Sequence, residues 1–429
     1  MKHIALAVVL VTLAHAQTVR VNTQRIEERI VKLAEFGKTD AGNMRVAYSE
    51  ADVQGREYIM QLMREAGLTV RIDAAGNIIG RREGSDPKLP VILFGSHIDA
   101  VPRGGNYDGD VGVISAIECV QTLHESRIQT RHPLEVVVFS NEEGGLVGSR
   151  AMIGTLPKEA LDVVSHSGKT IRDGLRTIGG NYDRLSDAAR KKGEIKAFIE
   201  LHIEQGATLY EEKIDIGVVE GIVGIKWWNV TIEGFANHAG TTPMNRRKDA
   251  LLAAAHLIIG VNSVVTSEPG RQVGTVGRIF AEPGAPNVIA GKVVMSLELR
   301  DLSAEKIDRL FEQIRKEAKT IEQQTGTRIS FALLEPSSIP APTDERIRSI
   351  IVESAKALGL TIKLMPSGAG HDTQNIATIA PSGMIFVPSV EGISHSPKEF
   401  THPHDMANGA NVLLQTILRI DASALDSKY

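Results

Sequence analysis

The hydrophobic positions of the chain follow two different spacings, which distinguish helices from strands. Apolar residues recur at helical intervals in residues 23–36 and 49–66. Short continuous apolar runs, which are typical of strands buried on both faces, occupy residues 91–94, 134–140 and 197–201. The alternation of these two patterns predicts an α/β fold in which helices flank a central mixed sheet.

A different pattern interrupts the chain between residues 219 and 334. Strands are predicted there at residues 224–233, 272–280, 293–300 and 328–334, and helices at residues 247–264 and 304–324. This order of elements is typical of a ferredoxin-like α+β domain. The α/β pattern returns after Pro336. We therefore expect an inserted domain at residues 219–334 and one discontinuous domain formed by residues 17–218 and 335–429.

Polar side chains collect where the predicted buried strands end. The pairs that follow the three apolar runs are His97 with Asp99, Glu142 with Glu143, and His202 with Glu204. Ligands and catalytic groups of α/β sheets collect at the carboxyl ends of the strands. A metal-binding histidine usually hydrogen-bonds a carboxylate through its other ring nitrogen, and Asp99 offers one to His97. A solvated polar turn remains the alternative at each of these strand ends.

Two further features of these segments favour metal chemistry. Asp108 lies in a loop that contains several glycines, where the backbone can turn tightly and bring the carboxylate to a metal. Glu142 and Glu143 are adjacent, so their side chains point in different directions. One of them can bind a metal while the other stays free to take a proton. The sequence therefore predicts a candidate metal centre with a general base beside it.

The composition narrows the classes of function. The 429 residues are 42% hydrophobic and 23% charged, which is typical of a soluble globular protein. The net charge is −4 and there is no long basic run, so nothing indicates a nucleic acid or an anionic membrane surface as the partner. Cys119 is the single cysteine, which excludes an intrachain disulfide.

The first sixteen residues are expected to lie outside the fold. Residues 4–13 form an apolar run that is too short to span a bilayer, and it follows a short polar start. Ala14 and Ala16 are small residues at the two positions that a signal peptidase requires. We therefore predict a secretory signal at residues 1–16, cut before Gln17, and an exported protein without a membrane span in its mature chain.

Taken together, these segments resemble the M20 metallopeptidase clan. Within the clan they are most similar to the amidase branch of N-carbamoyl-L-amino acid hydrolases, β-ureidopropionases and allantoate amidohydrolases. The matching stretches, in the order of the family, are residues 95–109, 141–144, 201–206 and 237–244, Asn287 with Arg300, and residues 368–372 and 392–395. The resemblance implies an α/β catalytic domain, with the inserted domain serving as a lid and as the interface of a homodimer.

The resemblance also implies a set of site residues and two divalent metal ions. The ions are usually zinc, with manganese, nickel or cobalt as alternatives. Asp108 would bridge the two ions, His97 and His202 would bind one of them, and Glu143 and His395 would bind the other. Glu142 would be the general base, Asp99 would orient His97, and His238 would stabilise the oxyanion in its own or the neighbouring subunit. The implied substrate contacts are Gln205, His238, Asn287, Arg300, Gly368, Ala369 and Gly370, with Arg300 holding the α-carboxylate.

The implied reaction is hydrolysis of the ureido group of an N-carbamoyl amino acid, which releases carbon dioxide and ammonia. Trp227 stands where allantoate enzymes carry an arginine, which argues against allantoate as the substrate. Residues 144–148 depart from the Ser-Arg-Phe-type continuation of the related branches. The resemblance therefore does not identify the pocket for the side chain of the substrate. An exported dipeptidase or aminoacylase of the same clan is one alternative, and a non-catalytic binding protein with this fold is another.

Overall fold

A computed structural model describes residues 19–423 of the chain. The predicted secretory signal at residues 1–16 therefore lies outside the described residues. Among residues 19–423, no helix is both long enough and apolar enough to cross a membrane.

The helices and strands of this part of the chain agree in most places with the hydrophobic pattern. The helices are α1 (Thr23–Ala34), α2 (Glu50–Glu65), α3 (Asp110–Glu125), α4 (Val147–Met152), α5 (Ile171–Thr177), α6 (Thr208–Glu212), α7 (Ala250–Thr266), α8 (Ala304–Thr325), α9 (Glu345–Ala357), α10 (Asp372–Ile376) and α11 (Pro403–Ala422). The strands are β1 (Lys38–Thr39), β2 (Gly42–Asn43), β3 (Thr69–Ile72), β4 (Ile78–Arg82), β5 (Val91–His97), β6 (Leu134–Phe139), β7 (Ile195–Ile203), β8 (Ile216–Ile222), β9 (Gly224–Glu233), β10 (Val273–Thr275), β11 (Ile279–Glu282), β12 (Lys292–Asp301), β13 (Arg328–Ser338), β14 (Ala341–Pro342), β15 (Ile362–Ser367) and β16 (Ser382–Val387).

The larger sheet is mixed and is covered by helices on both faces. Its strand order is β14-β8-β16-β7-β5-β6-β4-β3, with β15 paired to β8. The four central strands β16, β7, β5 and β6 run parallel to one another. Side chains of β5 alternate between the faces. Ile92 and Phe94 join the core with α1, α2, α3, α9 and α11, whereas Val91 and Leu93 pack on the opposite face with Met152 and Ile376. Burial of both faces explains why these strands appear as unbroken apolar runs.

The smaller sheet is antiparallel and carries the strand–helix order predicted for residues 219–334. Its order is β10-β12-β9-β13, and β11 also pairs with β12. Helices α7 and α8 supply one side of its core, which contains Leu257 and Ile314 together with Val230 and Leu297. The relative order of the strands is that of a ferredoxin-like sheet.

One predicted strand of the smaller sheet is split in the structure. Residues 272–280 were expected to form a single strand, but β10 and β11 are two short strands on the same partner. Thr275 faces Glu298 and Ile279 faces Met295, so four steps along the edge match three steps along β12. The extra residue interrupts the ladder, as a bulge does at the edge of a sheet.

The chain passes between the two sheets through adjacent segments. Strand β8 ends at Ile222 and β9 begins at Gly224, so a single residue separates the sheets on the way out. On the return, β13 ends at Ser338 and β14 pairs antiparallel with β8. The smaller sheet is therefore connected to the larger sheet through β8 and β14, which are paired with each other.

Candidate metal centre

The candidate ligands come from the carboxyl ends of the four central parallel strands. His97 is the last residue of β5, and His202 is the next-to-last residue of β7. Glu142 and Glu143 follow β6, and His395 lies in the segment after β16. Because these strands are neighbours in the sheet and point the same way, their ends meet at one edge.

Asp108 lies at the centre of this cluster. Its Oδ1 atom is 3.1 Å from Nε2 of His202 and 3.5 Å from Nε2 of His97. Its Oδ2 atom is 3.1 Å from Nε2 of His395, which in turn lies 3.4 Å from Oε1 of Glu143. The side chains form two groups of potential ligands, His97–Asp108–His202 and Asp108–Glu143–His395, that share one carboxylate.

The hydrogen bonds of two histidines leave their Nε2 atoms free to bind a cation. Nδ1 of His97 lies 3.0 Å from the backbone oxygen of Asp99, and Nδ1 of His202 lies 2.9 Å from that of Ile203. A carbonyl oxygen only accepts, so each Nδ1 carries a proton, and each Nε2 presents a lone pair once its ring is neutral. The backbone N–H of Gly109 donates to Nε2 of His202, consistent with a lone pair at that atom. Each Nε2 faces the Asp108 carboxylate, so a neutral ring sets two acceptors against each other, an arrangement that fits a divalent cation between them.

The pKa values of the candidate ligands are shifted because many charged side chains are buried in contact with one another. Burial raises the pKa of an aspartate, but three neighbouring histidines hold the pKa of Asp108 well below its ordinary value. Burial alone would lower the pKa of His97, but the nearby carboxylates raise it well above its ordinary value. Burial raises the pKa of Glu143 to about 7, and its Oε1 atom accepts no hydrogen bond from the described residues. Such a surplus of buried carboxylates is costly without a cation to balance it.

Glu142 lies beside the two groups without belonging to either. Its side chain is buried, and its Oε2 atom lies 3.8 Å from Nε2 of His97. Burial raises the pKa of this carboxyl well above its ordinary value, and the charges of Glu143 and Asp372 raise it further against the attraction of His97. A carboxyl with a raised pKa, next to possible metal ligands, has the properties of a general base.

Asp99 contacts its neighbours differently from the expectation. Its carboxylate was expected to orient His97, but its Oδ1 atom lies 3.8 Å from Nδ1 of that ring, beyond hydrogen-bond distance. The backbone oxygen of Asp99 accepts from the ring instead. The carboxylate accepts the backbone N–H groups of Glu142 and Glu143, at 3.1 and 3.2 Å. Asp99 therefore fixes the turn that carries the two glutamates.

The expected substrate contacts are only partly brought together. Gln205 donates to Oδ2 of Asp108 at 2.6 Å and lines a cavity of about 570 Å³ together with Gly368 and Ala369. Gly370 follows in the same loop. Arg300 reaches this loop from β12, where its Nη1 atom donates to the backbone oxygen of Gly368 at 2.6 Å. Its remaining bonds go to Glu298, so its guanidinium is already paired with a carboxylate of the chain.

His238 and Asn287 lie together but apart from the cluster. The backbone oxygen of Asn287 accepts from Ala239 at 3.0 Å, and both His238 and Asn287 are exposed. Within residues 19–423, no hydrogen bond or ion pair joins either side chain to the candidate ligands.

The sequence did not indicate every residue at the centre. Glu399 is buried and contacts the segments that carry Asp108 and His395. Glu200, His202 and His371 form a further compact group, in which Glu200 accepts from Ser96 and Thr373. Glu399 lies in an irregular segment and Glu200 within an apolar run, so neither position has a periodic signal. Only the tertiary structure brings them to the site.

Comparison with known proteins gives consistent matches over nearly the whole chain. Residues 93–419 match the model of peptidase family M20/M25/M40. The chain is 42% identical to an N-carbamoyl-L-amino acid amidohydrolase of Geobacillus stearothermophilus, over 92% of this chain and 98% of that protein. It is 38% identical to a ureidoglycolate hydrolase of Arabidopsis thaliana, over 94% of this chain and 88% of that protein. A crystal structure of an amidase of the hydantoinase/carbamoylase family from Burkholderia multivorans superposes with a TM-score of 0.89, at 33% identity, covering 94% of this chain and 99% of that one.

Proposed function

The chain belongs to peptidase family M20/M25/M40, and we propose that it is a metal-dependent amidohydrolase that cleaves the ureido C–N bond of an N-carbamoyl amino acid. The observation that carries the proposal is the position of Asp108, whose two oxygens each face a different group of candidate ligands. The relative from Geobacillus stearothermophilus supports the ureido substrate. The products would be carbon dioxide, ammonia and the free amino acid.

The ligand groups suit two divalent cations. His97, His202 and Asp108 would hold one ion, and Asp108, Glu143 and His395 would hold the other. Imidazole and carboxylate ligands suit zinc, manganese, nickel and cobalt, and the family resemblance favours zinc among them. When bound, such a pair lowers the pKa of a water molecule and polarises the scissile carbonyl group.

Glu142 would move the proton of the reaction. Its carboxyl lies beside the ligands, is buried and has a raised pKa, so it can accept a proton from the attacking water. It would then deliver this proton to the leaving nitrogen. Asp99 would hold Glu142 and Glu143 in place through their backbone N–H groups.

The cavity beside Gln205 would receive the amino acid part of the substrate. The backbone of residues 368–370 and the amide of Asn287 would contact polar groups of the substrate. Arg300 would hold the α-carboxylate, because its position beside Gly368 puts a cation at the cavity rim. Trp227 donates to Glu298 beneath Arg300, at the place where an allantoate enzyme would carry an arginine.

His238 would stabilise the oxyanion from the inserted domain. Its Nδ1 atom accepts the backbone N–H groups of Gly240 and Thr241, at 3.0 and 3.2 Å. The ring proton therefore lies on Nε2, which becomes an exposed donor suited to a developing negative charge. This donor would reach a site when the inserted domain closes over it, or the site of a neighbouring subunit.

The inserted domain would act as the lid and as the interface of a homodimer. Helix α7 exposes Leu251, Leu252 and Ile259, which are 46%, 47% and 68% accessible. An apolar helix face of this kind suits a contact between subunits. We further propose that the protein is exported, on the basis of residues 1–16, and N-terminal sequencing of the mature chain tests this.

A substrate panel tests the proposed reaction. The zinc-loaded protein is assayed for ammonia release from N-carbamoyl-L-amino acids and for amine release from dipeptides and N-acyl amino acids. Ammonia from the ureido acids, with no cleavage of the other two classes, supports the proposal. Preferential cleavage of dipeptides or acyl amino acids would favour the peptidase or aminoacylase alternative. Binding of zinc without turnover of any class would favour a binding protein.

A further inference from the structure

Glu399 is a buried carboxylate that joins the two segments carrying Asp108 and His395. Its Oε1 atom accepts the backbone N–H groups of Tyr107 and Asp108, at 2.8 and 3.0 Å. Its Oε2 atom accepts the backbone N–H of His395 at 3.2 Å and lies 2.9 Å from the hydroxyl of Ser394. The residue is 4% exposed. One side chain therefore fixes the backbone of two candidate ligands that are far apart in the sequence.

The contacts of Glu399 require a carboxylate rather than an amide. All four neighbours are neutral donors, and within the described part of the chain Glu399 forms no ion pair. A carboxylate offers two acceptor oxygens, whereas a glutamine offers one oxygen and an NH₂ group. A glutamine here would set its NH₂ group against either the N–H of His395 or those of Tyr107 and Asp108.

Gly105 provides independent support, because the backbone makes room for this carboxylate. A Cβ atom at Gly105 would lie 2.2 Å from Oε1 and 2.4 Å from Cβ of Glu399. The glycine is also buried. Tight turning of the chain was the reason expected for a glycine in this loop. The structure gives Gly105 a different one, the close approach of Glu399.

We propose that Glu399 is a positioning residue that sets the metal affinity of the group Asp108–Glu143–His395. It holds the backbone of Asp108 and of His395 so that their side chains converge, with Oδ2 and Nε2 3.1 Å apart. This inference rests on the proposed function, since it assumes that the group binds a cation. Residues that orient metal ligands typically change metal affinity by about 10- to 100-fold when they are altered.

The experiment compares two variants of the full-length protein with the wild type. Glu399→Gln removes acceptors, and Gly105→Ala displaces the carboxylate without changing its charge. Glu391→Gln is the matched control, because Glu391 is exposed and lies a few residues before His395. Zinc affinity is measured by competition with a chromophoric chelator, and the melting temperature of each metal-free protein is recorded.

We expect the wild type and Glu391→Gln to bind two equivalents of zinc with the same affinities. In Glu399→Gln and Gly105→Ala, one equivalent should bind about 10- to 100-fold more weakly, and the other, whose ligands share only Asp108 with these contacts, should weaken less. The metal-free melting temperatures should stay close to that of the wild type, and excess zinc should restore hydrolysis. Recovery with zinc separates a positioning role from general loss of structure, and Gly105→Ala preserves the test if Glu399→Gln does not fold.

Three results would overturn the inference. Unchanged affinity for both equivalents in Glu399→Gln and Gly105→Ala would overturn this inference and leave the proposed function intact. Equal weakening of both equivalents, with a lower metal-free melting temperature, would indicate a general structural role. A wild type that binds no zinc would overturn the proposed function together with the inference.

Discussion

Arg300 and Glu298 form a bidentate ion pair on neighbouring positions of one face of β12. Nε and Nη2 of the guanidinium donate to the two carboxylate oxygens, at 2.8 and 3.1 Å. Nη1 donates to the backbone oxygen of Gly368. An arginine has five N–H groups, so two remain to bind a substrate carboxylate. The pair with Glu298 therefore orients the guanidinium without using all of its donors.

The first prediction concerns Arg300. Replacing it with lysine keeps the charge but removes the planar fork, so bidentate binding of the carboxylate is lost. We expect KM for an N-carbamoyl amino acid to rise by about 10- to 100-fold, with a much smaller change in kcat. Arg278→Lys is the control, because Arg278 is exposed and contacts Asn229 on the same sheet. Equal kinetics of Arg300→Lys and the control would contradict the assignment.

Glu142 supplies the second prediction. Glu142→Gln keeps the shape of the side chain but removes the basic oxygen, so kcat should fall by about 10²- to 10⁴-fold. Zinc content should be unchanged, because Glu142 belongs to neither ligand group. Steady-state kinetics and metal analysis of the same sample check both parts. A variant that kept its full rate would show that another group takes the proton.

The third prediction tests the shared carboxylate. Asp108→Asn removes one negative charge and one ligand oxygen from the residue that faces both groups. Zinc content should fall from two equivalents to one or none, and hydrolysis should be lost, because no other side chain of residues 19–423 belongs to both groups. Asp40→Asn, on an exposed turn, is the control. Two tightly bound equivalents in Asp108→Asn, measured by metal analysis after dialysis, would exclude a bridging role.

The fourth prediction concerns the pH dependence of metal binding. The hydrogen bond with Asp108 raises the pKa of His395 to about 9, and burial raises the pKa of Glu143 to about 7. The metal-free protein therefore holds protons on both ligands below these values, and zinc must displace them. Apparent zinc affinity should fall by at least about tenfold per pH unit from pH 9 to 7, because His97 also has a raised pKa, and more steeply below pH 7.

The same shift has a consequence for the metal-free protein. Because the folded-state pKa of His395 is raised, its contribution to stability is fully present below about pH 6.5 and is lost as the pH rises through 9. The melting temperature of the metal-free protein should therefore decrease over this range, and the decrease should be smaller in His395→Gln, where only the raised pKa values of His97 and Glu143 remain. Zinc titrations and melting curves from pH 6 to 9 test both statements. A pH-independent affinity would contradict them.

The fifth prediction concerns a buried ion pair below the candidate centre. The guanidinium of Arg45 contacts the carboxylate of Asp110 and also donates to the backbone oxygens of Ile98 and Leu33, at 2.7 Å each. Arg45→Met leaves Asp110 buried without its cation, so the free energy of unfolding should fall by about 3–5 kcal/mol. Lys32→Met, which breaks an exposed pair with Glu35, should cost less than about 1 kcal/mol. Urea unfolding of the metal-free proteins compares the two, and equal losses would contradict the prediction.

The fold was predictable where burial leaves a clear pattern in the sequence. Strands β5, β6 and β7 are buried throughout, so each appears as an apolar run. The helical spacing expected from residue 49 also agrees with helix α2, which begins at Glu50 after Ser49, whose side chain accepts from the N–H of Asp52. Strand β8 gave no such signal, because Gly217, Glu220 and Gly221 interrupt its apolar residues. The last helix, α11, begins at Pro403, and proline suits the first turn of a helix because its missing N–H has no partner there.

The sequence predicted which residues belong to the candidate site, but it did not predict all of the contacts between them. Strand ends carrying histidine and carboxylate side chains indicated a centre, and the structure brings His97, Asp108, Glu143, His202 and His395 together. The partner of the Asp99 carboxylate depends on register. His97 lies opposite Phe139 in the pairing of β5 with β6, which brings Asp99 alongside the turn after β6. The spacing of residues along the sequence predicts neither this strand register nor the pairing of Arg300 with Glu298.

The passage of the chain through the smaller sheet has a consequence for biosynthesis. All strands from β9 to β13 are contiguous in the sequence, so that unit can be completed on the ribosome while the larger sheet still lacks β16. His395 emerges later still, long after Asp108, Glu142 and Glu143. A nascent or truncated polypeptide ending before residue 395 would therefore carry these acidic side chains without their last imidazole partner. If the protein binds two cations as proposed, it would acquire the ability to retain them late in translation, when the polypeptide is nearly complete.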